Sequence, residues 1–483
     1  MKASKRQPHI ILIVSDQHNR KLAGCYGDGY IRTPNIDRLA DGGVIFDNAY
    51  APSPLCVPSR MALLSGLPPM ISGVHHNSQT LPSHIPTIAH SLGAAGYRAV
   101  LCGRMHFIGP DQRHGYHERL VGDHSATGTA NKEAPMGIFD GTTGQDARML
   151  HKSGSGRAPV NAYDEDVARA AVDCIANHDN DQPLFLTVGF YGPHNPYVCP
   201  REQLEYYEKQ LPPITADDLL IWQSKDHPAM QAWRASRNLD KVDIRTVNKA
   251  RAAYYGACET IDRHIGKIVD AADSRLDPEK LLIVYVSDHG DMAGERGIFW
   301  KSNFYEGSAG VPWIMRHSGV IPPAQHISRP LSLLDLAPTL TACAGASPLP
   351  GTTGQDLSEY LCRGTEPRER AIVSTLSDRR CGPSAMIRYE QWKLIVYHGY
   401  EHPELYNLEQ DPAEQNDLSG RPEYAEIVMN LRKELLQQWD PEKVQQISRL
   451  SAEQLALIRA ADEQHPEKPI EQWQADIATL RLD

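Results

Sequence analysis

The chain has 483 residues, of which 41% are hydrophobic and 23% are charged, and its formal net charge is −11. This length suggests a large domain followed by a smaller one, because a single ordinary core does not organise so many residues. The negative charge is spread along the chain, which argues against partners such as nucleic acid or an anionic membrane surface. An anionic substrate would therefore need a local positive site.

The N-terminal segment is basic, and the apolar run that follows it at 10–14 is too short for the core of a signal peptide. No apolar stretch has the length that spans a bilayer. The nine cysteines have irregular spacing and form no Cys-x-x-Cys pair, which fits free thiols in a reducing compartment. We therefore expect a cytoplasmic protein that does not insert into membranes.

Short apolar runs alternate with stretches of helical spacing over the first three quarters of the chain. The runs predict strands at 10–15, 98–102, 184–190 and 281–287. The helical stretches are 34–39, 85–92, 164–176 and 247–272, with Pro34 and Pro86 in first turns. This alternation predicts an α/β domain in which helices sandwich a large, mostly parallel sheet.

From about residue 370 the pattern changes. Short strands without crossover helices are predicted at 371–374, 385–389 and 392–397, and the polar stretch 421–483 is predicted to be helical. We therefore divide the chain into a catalytic domain at 1–370 and a C-terminal subdomain at 371–483, which has antiparallel strands and a helical tail. The tail would pack on the body or on a second copy of the chain, so a homo-oligomer stays open.

Polar residues follow two of the predicted strands, where parallel sheets form their sites. Asp16 and Gln17 follow the first strand, and Asp288 and His289 follow the strand at 281–287. Carboxylate and amide oxygens are hard ligands for a divalent cation, whereas an imidazole ligand suits Mn²⁺ or another transition metal better than Ca²⁺. Each carboxylate taken singly could as well cap a helix or close a turn, but two at one sheet edge predict a site.

The stretch 54–66 reads Pro-Leu-Cys-Val-Pro-Ser-Arg-Met-Ala-Leu-Leu-Ser-Gly. Its Cys-x-Pro-Ser-Arg core resembles the signature of type I sulfatases, in which a formylglycine-generating enzyme converts the cysteine. The alternative for Cys56 is a buried cysteine before a helix. Further blocks resemble the family in the same order over about 8–420: Asp16-Gln17, Gly103-Arg104-Met105-His106, Pro193-His194-Asn195-Pro196-Tyr197, Ser287-Asp288-His289-Gly290, Lys301 with Tyr305-Glu306-Gly307, and the segment 404–412.

The resemblance implies an alkaline-phosphatase-like fold and a formylglycine nucleophile derived from Cys56. Formylglycine would be hydrated to a diol, of which one hydroxyl attacks sulfur while the other later expels sulfate. One divalent cation would be held by Asp16, Gln17, Cys56, Asp288 and His289. Ca²⁺ comes first on family grounds, with Mn²⁺ as the alternative, because many sulfatases carry Asn in place of His289.

The same resemblance assigns catalytic roles to further residues. Arg60 would hold the diol, and His106 would assist the expulsion of sulfate. Lys301 and His194 would contact the ester oxygens and protonate the leaving group. Arg104 replaces a family lysine, and it keeps the charge but cannot readily exchange protons. Asn77 is a further candidate for contact with the ester.

The segments 103–116 and 287–297 resemble the choline-sulfatase branch. However, residues 122–157 lack the Trp-rich stretch that would help surround a quaternary ammonium. The substrate is therefore left as choline sulfate, a sulfated sugar or another small sulfate ester, and residues 105–160 are expected to wall its pocket. Two alternatives remain: a phosphonate monoester or phosphodiester hydrolase using the same site, and a non-catalytic metal- and anion-binding protein whose Cys56 is never converted.

Overall fold

The computed structural model describes residues 7–128, 134–466 and 471–483. Its strands are β1 His9–Asp16, β2 Val44–Phe46, β3 Ala49–Tyr50, β4 Arg98–Gly103, β5 Glu118–Arg119, β6 Gly154–Arg157, β7 Leu184–Pro193, β8 Val198–Cys199, β9 Leu281–Ser287, β10 Trp313–His317, β11 Gln325–Ile327, β12 Leu331–Ser332, β13 Ile372–Asp378, β14 Gly382–Tyr389, β15 Trp392–Tyr397, β16 Glu404–Asn407 and β17 Arg481–Leu482. Its α-helices are α1 Pro34–Asp41, α2 Cys56–Ser65, α3 Pro69–Ser72, α4 Ile88–Ala94, α5 Ala147–Leu150, α6 Pro159–Ala176, α7 Arg201–Gln210, α8 Ala216–Lys225, α9 Pro228–Ser236, α10 Ile244–Arg275, α11 Glu306–Ala309, α12 Leu336–Cys343, α13 Ser358–Arg363, α14 Ala425–Gln438 and α15 Pro441–Gln464. Among these described helices, none is long and apolar enough to cross a membrane.

The main sheet has the strand order β11-β2-β10-β9-β1-β7-β4-β5 in the described residues. The central strands β9, β1, β7 and β4 run parallel, and β10 is antiparallel to β9. Alternate residues of β1 face two different hydrophobic clusters, of which one includes α2, α4 and α12 and the other α1, α6 and α10. Because helices cover both faces, all of β1 is buried. The predicted α/β class is confirmed.

The strands and helices predicted before residue 370 are all present, and the largest error in their bounds is at α6, which begins at Pro159 and not at 164. The helix predicted to start at 85 differs in the other direction, because its start comes later. That helix begins at Ile88, so Pro86 lies outside it. The reason is local: Thr87 takes the N-cap position, and its backbone N–H donates to His90 Nδ1 at 3.2 Å. Pro34, by contrast, occupies the first turn of α1 as predicted.

The C-terminal region contains the antiparallel sheet β13-β14-β15-β16, covered by α14 and α15 around Leu405 and Trp439. The prediction that helix continues to the chain end is wrong. The segment 471–483 returns to the first domain, where β17 pairs with β6. Trp473 anchors this return because its ring packs edge-on against Tyr163 at 5.2 Å between centroids.

A buried ionic cluster joins the C-terminal sheet to the first domain. Lys393 of β15 has no exposed side-chain surface, and its Nζ lies 2.8 Å from Glu306 Oε1 and 2.7 Å from Glu414 Oε1. Glu306 also binds Arg20 at 2.6 Å, next to the end of β1. Ions removed from water are stable only when paired, so each of these groups depends on the others.

Replacing Lys393 with methionine is expected to lower the free energy of unfolding by about 3–5 kcal/mol, because two buried carboxylates would lose their shared cation. The denaturation midpoint in urea measures this loss. Lys433→Met is the matched control, since Lys433 is exposed on α14. Equal midpoints for the two variants would show that the cluster does not hold the C-terminal sheet in place.

Candidate active site

The site forms where β1 and β9 end side by side. Ser15 pairs with Ser287 in parallel register, so Asp16 and Asp288 emerge at the same sheet edge. Both carboxylates are completely buried. The side chain of Asp288 also fixes the backbone of the neighbouring strand end, because its Oδ1 accepts the N–H of Gln17 at 3.1 Å.

Two buried arginines hold these carboxylates. Arg60 of α2 donates from Nε to Asp288 Oδ2 at 2.7 Å and from Nη2 to Asp16 Oδ2 at 3.1 Å. Arg104, just after β4, donates to the same Asp16 oxygen at 2.6 Å. Burial and the thiol of Cys56 act to raise the pKa of Asp16, but the charges of Arg104 and Arg60 lower it below its usual range. Both guanidiniums therefore stabilise the ionised carboxylate.

Asp16, Cys56, Asp288 and His289 form one buried cluster whose ligand atoms all lie within 4.8 Å of one another. The Nδ1 of His289 lies 3.0 Å from the carbonyl of Gly290. A carbonyl only accepts, so Nδ1 carries a proton, and Nε2 faces the cluster, 3.6 Å from Asp16 Oδ1. In its neutral form the imidazole offers the lone pair of Nε2 to a cation. Two carboxylates and an imidazole turned toward one point form a donor set that fits a divalent cation.

Gln17 has other contacts than the predicted one. Its Nε2 donates to Asp291 Oδ2 at 2.5 Å, and its Oε1 accepts from Lys301 Nζ at 2.6 Å. Its backbone φ of 71° lies in the left-handed region, which residues other than glycine rarely adopt. The oxygen proposed as a metal ligand thus accepts a hydrogen bond from Lys301, and a contact of Gln17 with metal stays a prediction.

Cys56 is the first residue of α2 and is only 1% exposed. It lies on a cavity of about 370 Å³, a volume within the range of small-molecule sites. The positive end of the helix dipole points to this position and favours an anion there. Ser59 ties the helix to the sheet edge, because its hydroxyl donates to the carbonyl of Asp288 at 2.5 Å.

Asn77 also lies on the cavity wall. Its Oδ1 accepts the backbone N–H of Val57 at 3.0 Å and thereby supports the first turn of α2. Because that oxygen is engaged, an ester could contact Asn77 only through its amide NH₂ group. The structure thus adds a structural role to the predicted one.

His194 and Lys301 form a pair that also lines the cavity. His194 Nδ1 donates to the carbonyl of Asn195 at 2.8 Å, and Nε2 lies 2.5 Å from Lys301 Nζ. Burial, followed by the charge of Lys301, lowers the pKa of His194 to about 4. The imidazole is therefore neutral near pH 7, and its Nε2 accepts a hydrogen bond from the ammonium of Lys301.

Arg104 and His106 line the cavity beside Cys56. Arg104 Nη2 lies 2.8 Å from His106 Nδ1, and its guanidinium stacks on the ring of Tyr191, 4.4 Å from the centroid. Asp123 binds both residues, because it pairs with Arg104 at 3.1 Å and accepts the backbone N–H of His106 at 2.8 Å. These contacts fix the two side chains relative to each other.

The structure thus brings the predicted residues together. Among the predicted catalytic residues, Arg60 differs from the others in what it contacts. Arg60 contacts the carboxylates and not the cavity, whereas Cys56, Asn77, Arg104, His106, His194 and Lys301 all line it. Their assigned roles remain predictions. Part of the predicted wall at 105–160 is present, since Ser125 and residues 143–145 line the cavity, whereas 129–133 lie outside the described residues.

Sequence reasoning missed four contributors. Asp291 and Asp123 orient Gln17 and Arg104, and the hairpin between β13 and β14, with Arg237, forms the outer wall. Asp291 belongs to the run already noted after β9 and could have been found there. The others have no local signal, because only the fold brings them to the cavity.

Comparisons with known proteins show the family to which the chain belongs. A family model described as sulfatase matches residues 8–346, and one for the C-terminal part of N-sulphoglucosamine sulphohydrolase matches 294–440. A choline-sulfatase of Rhizobium meliloti (strain 1021) is 34% identical over 436 residues, which are 86% of this chain and 83% of that protein.

Two solved structures share the fold. One is a protein in complex with its substrate D-glucosamine-2-N,6-O-disulfate, with a TM-score of 0.73, 22% identity and coverage of 90% of this chain and 97% of that one. The other is the phosphonate monoester hydrolase of Agrobacterium radiobacter, with a TM-score of 0.73, 22% identity and coverage of 89% and 95%. On the family match and the identity to the choline-sulfatase, the chain belongs to the sulfatase family, a family of sulfuric ester hydrolases.

Proposed function

We propose that the protein hydrolyses a small sulfate ester to an alcohol and inorganic sulfate, with formylglycine made from Cys56 as its nucleophile. The position of Cys56 carries this proposal. It stands at the positive end of a buried helix, on the cavity wall and within the cluster of Asp16, Asp288 and His289. Formylglycine supplies a hydrated aldehyde whose hydroxyl can attack sulfur. A formylglycine-generating enzyme would be the maturation partner.

Asp16, Asp288 and His289 would hold one divalent cation together with residue 56, with Ca²⁺ preferred and Mn²⁺ as the alternative. When bound, the cation would polarise the nucleophile and an ester oxygen. Arg60 keeps the two carboxylates in place, since it binds an oxygen of each, and its charge acts to lower the pKa of both, against the effect of burial. That contact makes Arg60 a positioning residue in this proposal. It would act through the two carboxylates, whereas the sequence predicted a direct contact with the diol.

A sulfate ester repels nucleophiles because it is already anionic. Arg104 and Lys301 bring positive charge to the cavity, and the first turn of α2 adds its dipole. These groups are fixed before substrate arrives, because Arg104 is held by Asp16 and Lys301 by Gln17. They would bind the ester oxygens and stabilise charge that develops during attack.

The alkoxide that leaves the sulfate needs a proton unless it is a weak base. Lys301 is the proposed donor, because its ammonium already donates to the lone pair of His194 Nε2. His194, whose pKa is lowered to about 4, stays neutral and would orient that ammonium by accepting its hydrogen bond. His106 is proposed to assist the expulsion of sulfate from the intermediate.

A cytoplasmic location is part of the proposal. All nine cysteines lie in the described residues and form no disulfide, as expected in a reducing compartment. Phosphonate monoester or phosphodiester hydrolysis is the second candidate. It is supported by Gln17 and His289 at the ends of β1 and β9, as in the enzymes of that type that the sequence resembles.

We expect the matured enzyme to hydrolyse an aryl sulfate faster than an aryl phosphonate or a bis-aryl phosphate with the same leaving group. Initial rates measured with the same phenol as product decide between the two candidates, because the leaving group then has the same basicity in all three substrates. A higher rate on the phosphonate or on the diester would overturn the sulfatase assignment.

Cys56→Ala is expected to lower kcat by roughly three orders of magnitude or more, because the nucleophile is removed while the binding residues stay. Cys362→Ala is the control, since Cys362 is exposed on α13. Mass analysis of the peptide that contains residue 56 should show an aldehyde in place of the thiol after co-expression with the maturation enzyme. An intact thiol in an active enzyme would contradict the proposal.

Lys301→Met should discriminate between leaving groups. For an alkyl sulfate, kcat/KM is expected to fall roughly 10²–10⁴-fold, because the alkoxide must be protonated as it leaves. For 4-nitrophenyl sulfate the decrease should be clearly smaller, because nitrophenolate leaves without a proton. The exposed Lys433→Met serves as control. Equal losses on the two substrates would exclude Lys301 as the proton donor.

A further inference from the structure

The outer part of the cavity is formed by the hairpin that joins β13 to β14 in the C-terminal sheet. Residues 379–381 form its tip, and Arg379 and Arg380 are exposed side chains that line the same cavity as Cys56. The tip is therefore placed to contact the part of a substrate that lies beyond its ester sulfate.

The carboxylate of Asp378, at the mouth of the cavity, already has partners within the protein. Asp378 is the one acidic residue among the described residues that line the cavity. Its Oδ1 accepts the backbone N–H groups of Arg380 at 2.7 Å and Cys381 at 3.2 Å, and its Oδ2 pairs with the buried Arg237. Asp378 thus fixes the turn and neutralises Arg237, which lies 4.1 Å above the ring of Trp233.

Arg379 and Arg380 have neutral partners instead. Arg379 donates to Ser78 Oγ at 2.6 Å, and Arg380 donates to the carbonyls of Gln145 at 2.9 Å and Ser236 at 3.1 Å. Neither guanidinium forms an ion pair with a carboxylate of the described residues. A guanidinium has five N–H donors, so both keep donors for an oxyanion. Burial and the charge of Arg459 lower the pKa of Arg379, which agrees with positive surroundings.

The charges that line the whole cavity have one predominant sign. In the described residues, Arg104, Arg237, Lys301, Arg379 and Arg380 stand against the single carboxylate of Asp378. This positive site occurs on a chain with a net charge of −11. Among the residues that the structure describes, no carboxylate pairs with the outer two guanidiniums, whereas the inner Arg104 pairs with Asp16 and Asp123.

The cavity is a poor match for a quaternary ammonium. Tyr191 is the only tyrosine, tryptophan or phenylalanine among the described lining residues, and Arg104 already covers its ring. A cationic substrate would meet like charge without a cage of aromatic faces. The choline-sulfatase to which the chain is 34% identical is therefore no guide to the substrate.

We propose that Arg379 and Arg380 form an oxyanion subsite, so that the substrate is a sulfate ester with a second anionic group, a carboxylate or another sulfate. This inference rests on the proposed sulfatase function and specifies its substrate class. The hairpin tip makes the C-terminal sheet a direct part of substrate recognition. The subsite selects for a second negative charge on the substrate and against a cationic group at the same distance from the ester.

The test compares matched esters on the matured enzyme with Ca²⁺ present. Meta-carboxyphenyl sulfate, its methyl ester and meta-trimethylammoniophenyl sulfate differ in the charge of one substituent. D-glucosamine-2-N,6-O-disulfate and N-acetylglucosamine 6-sulfate form the arm for a second sulfate. The double variant Arg379→Gln/Arg380→Gln is compared with Arg363→Gln, since the side chain of Arg363 is 70% exposed on α13, away from the cavity.

The double variant is expected to lower kcat/KM by about tenfold for the second-anion substrates. The methyl ester should change less than twofold, and the trimethylammonium ester should improve. Unchanged ratios of anionic to neutral substrate in both arms would overturn the subsite while the hydrolysis of the methyl ester keeps the sulfatase function intact.

Absence of hydrolysis with every ester would instead reject the proposed function. The subsite then remains testable through binding. Calorimetric titration of meta-carboxyphenyl sulfate into Cys56→Ala, with and without the two arginine substitutions, needs no turnover. About tenfold weaker binding on loss of the arginines supports the subsite, and equal affinity contradicts it.

Discussion

The guanidinium of Arg60 binds Asp16 and Asp288 in a site without solvent access, and the rest of the site depends on this contact. Two carboxylates at adjacent strand ends repel each other, and their burial raises the cost of their charge. One planar cation with donors to both removes the repulsion and sets the spacing of the pair. It leaves Asp16 Oδ1 turned to His289 and Cys56.

The same contact determines where α2 lies. Arg60 is one turn from Cys56, so its position over the sheet edge places the first residue of the helix beside the carboxylates. Ser59 adds a second tie through the carbonyl of Asp288. The nucleophile precursor, the donor set and the helix dipole are thus arranged together by one short helix and two strand ends.

Charge is organised in layers along the cavity. At its base, the acidic residues balance Arg60 and Arg104, so the site can hold a cation and an anion together. At the mouth, the two arginines of the hairpin tip form no ion pair with any residue in the described part of the chain. A protein with a net charge of −11 can attract an anionic ester in this way, because nearby charges dominate inside a cleft.

Much of this could be predicted from the sequence, because apolar periodicity marks the strands and the polar residues after β1 and β9 are local patterns. The contact of Gln17 with Lys301 and the place of Arg60 beneath the cavity could not, because they depend on side-chain orientation. Asp123 and Arg379 reach the site from a loop and from the C-terminal sheet, so only long-range packing reveals them. The return of Trp473 to the first domain is of the same kind.

The proposed chemistry depends on one cation site formed by Asp16, Asp288, His289 and residue 56 and held in place by Arg60. Anomalous diffraction from crystals of the matured protein in Mn²⁺ tests it directly. We expect one strong peak at about 2.0–2.6 Å from these side chains, with Arg60 still bound to both carboxylates. A peak elsewhere, or no peak at this cluster, would contradict it.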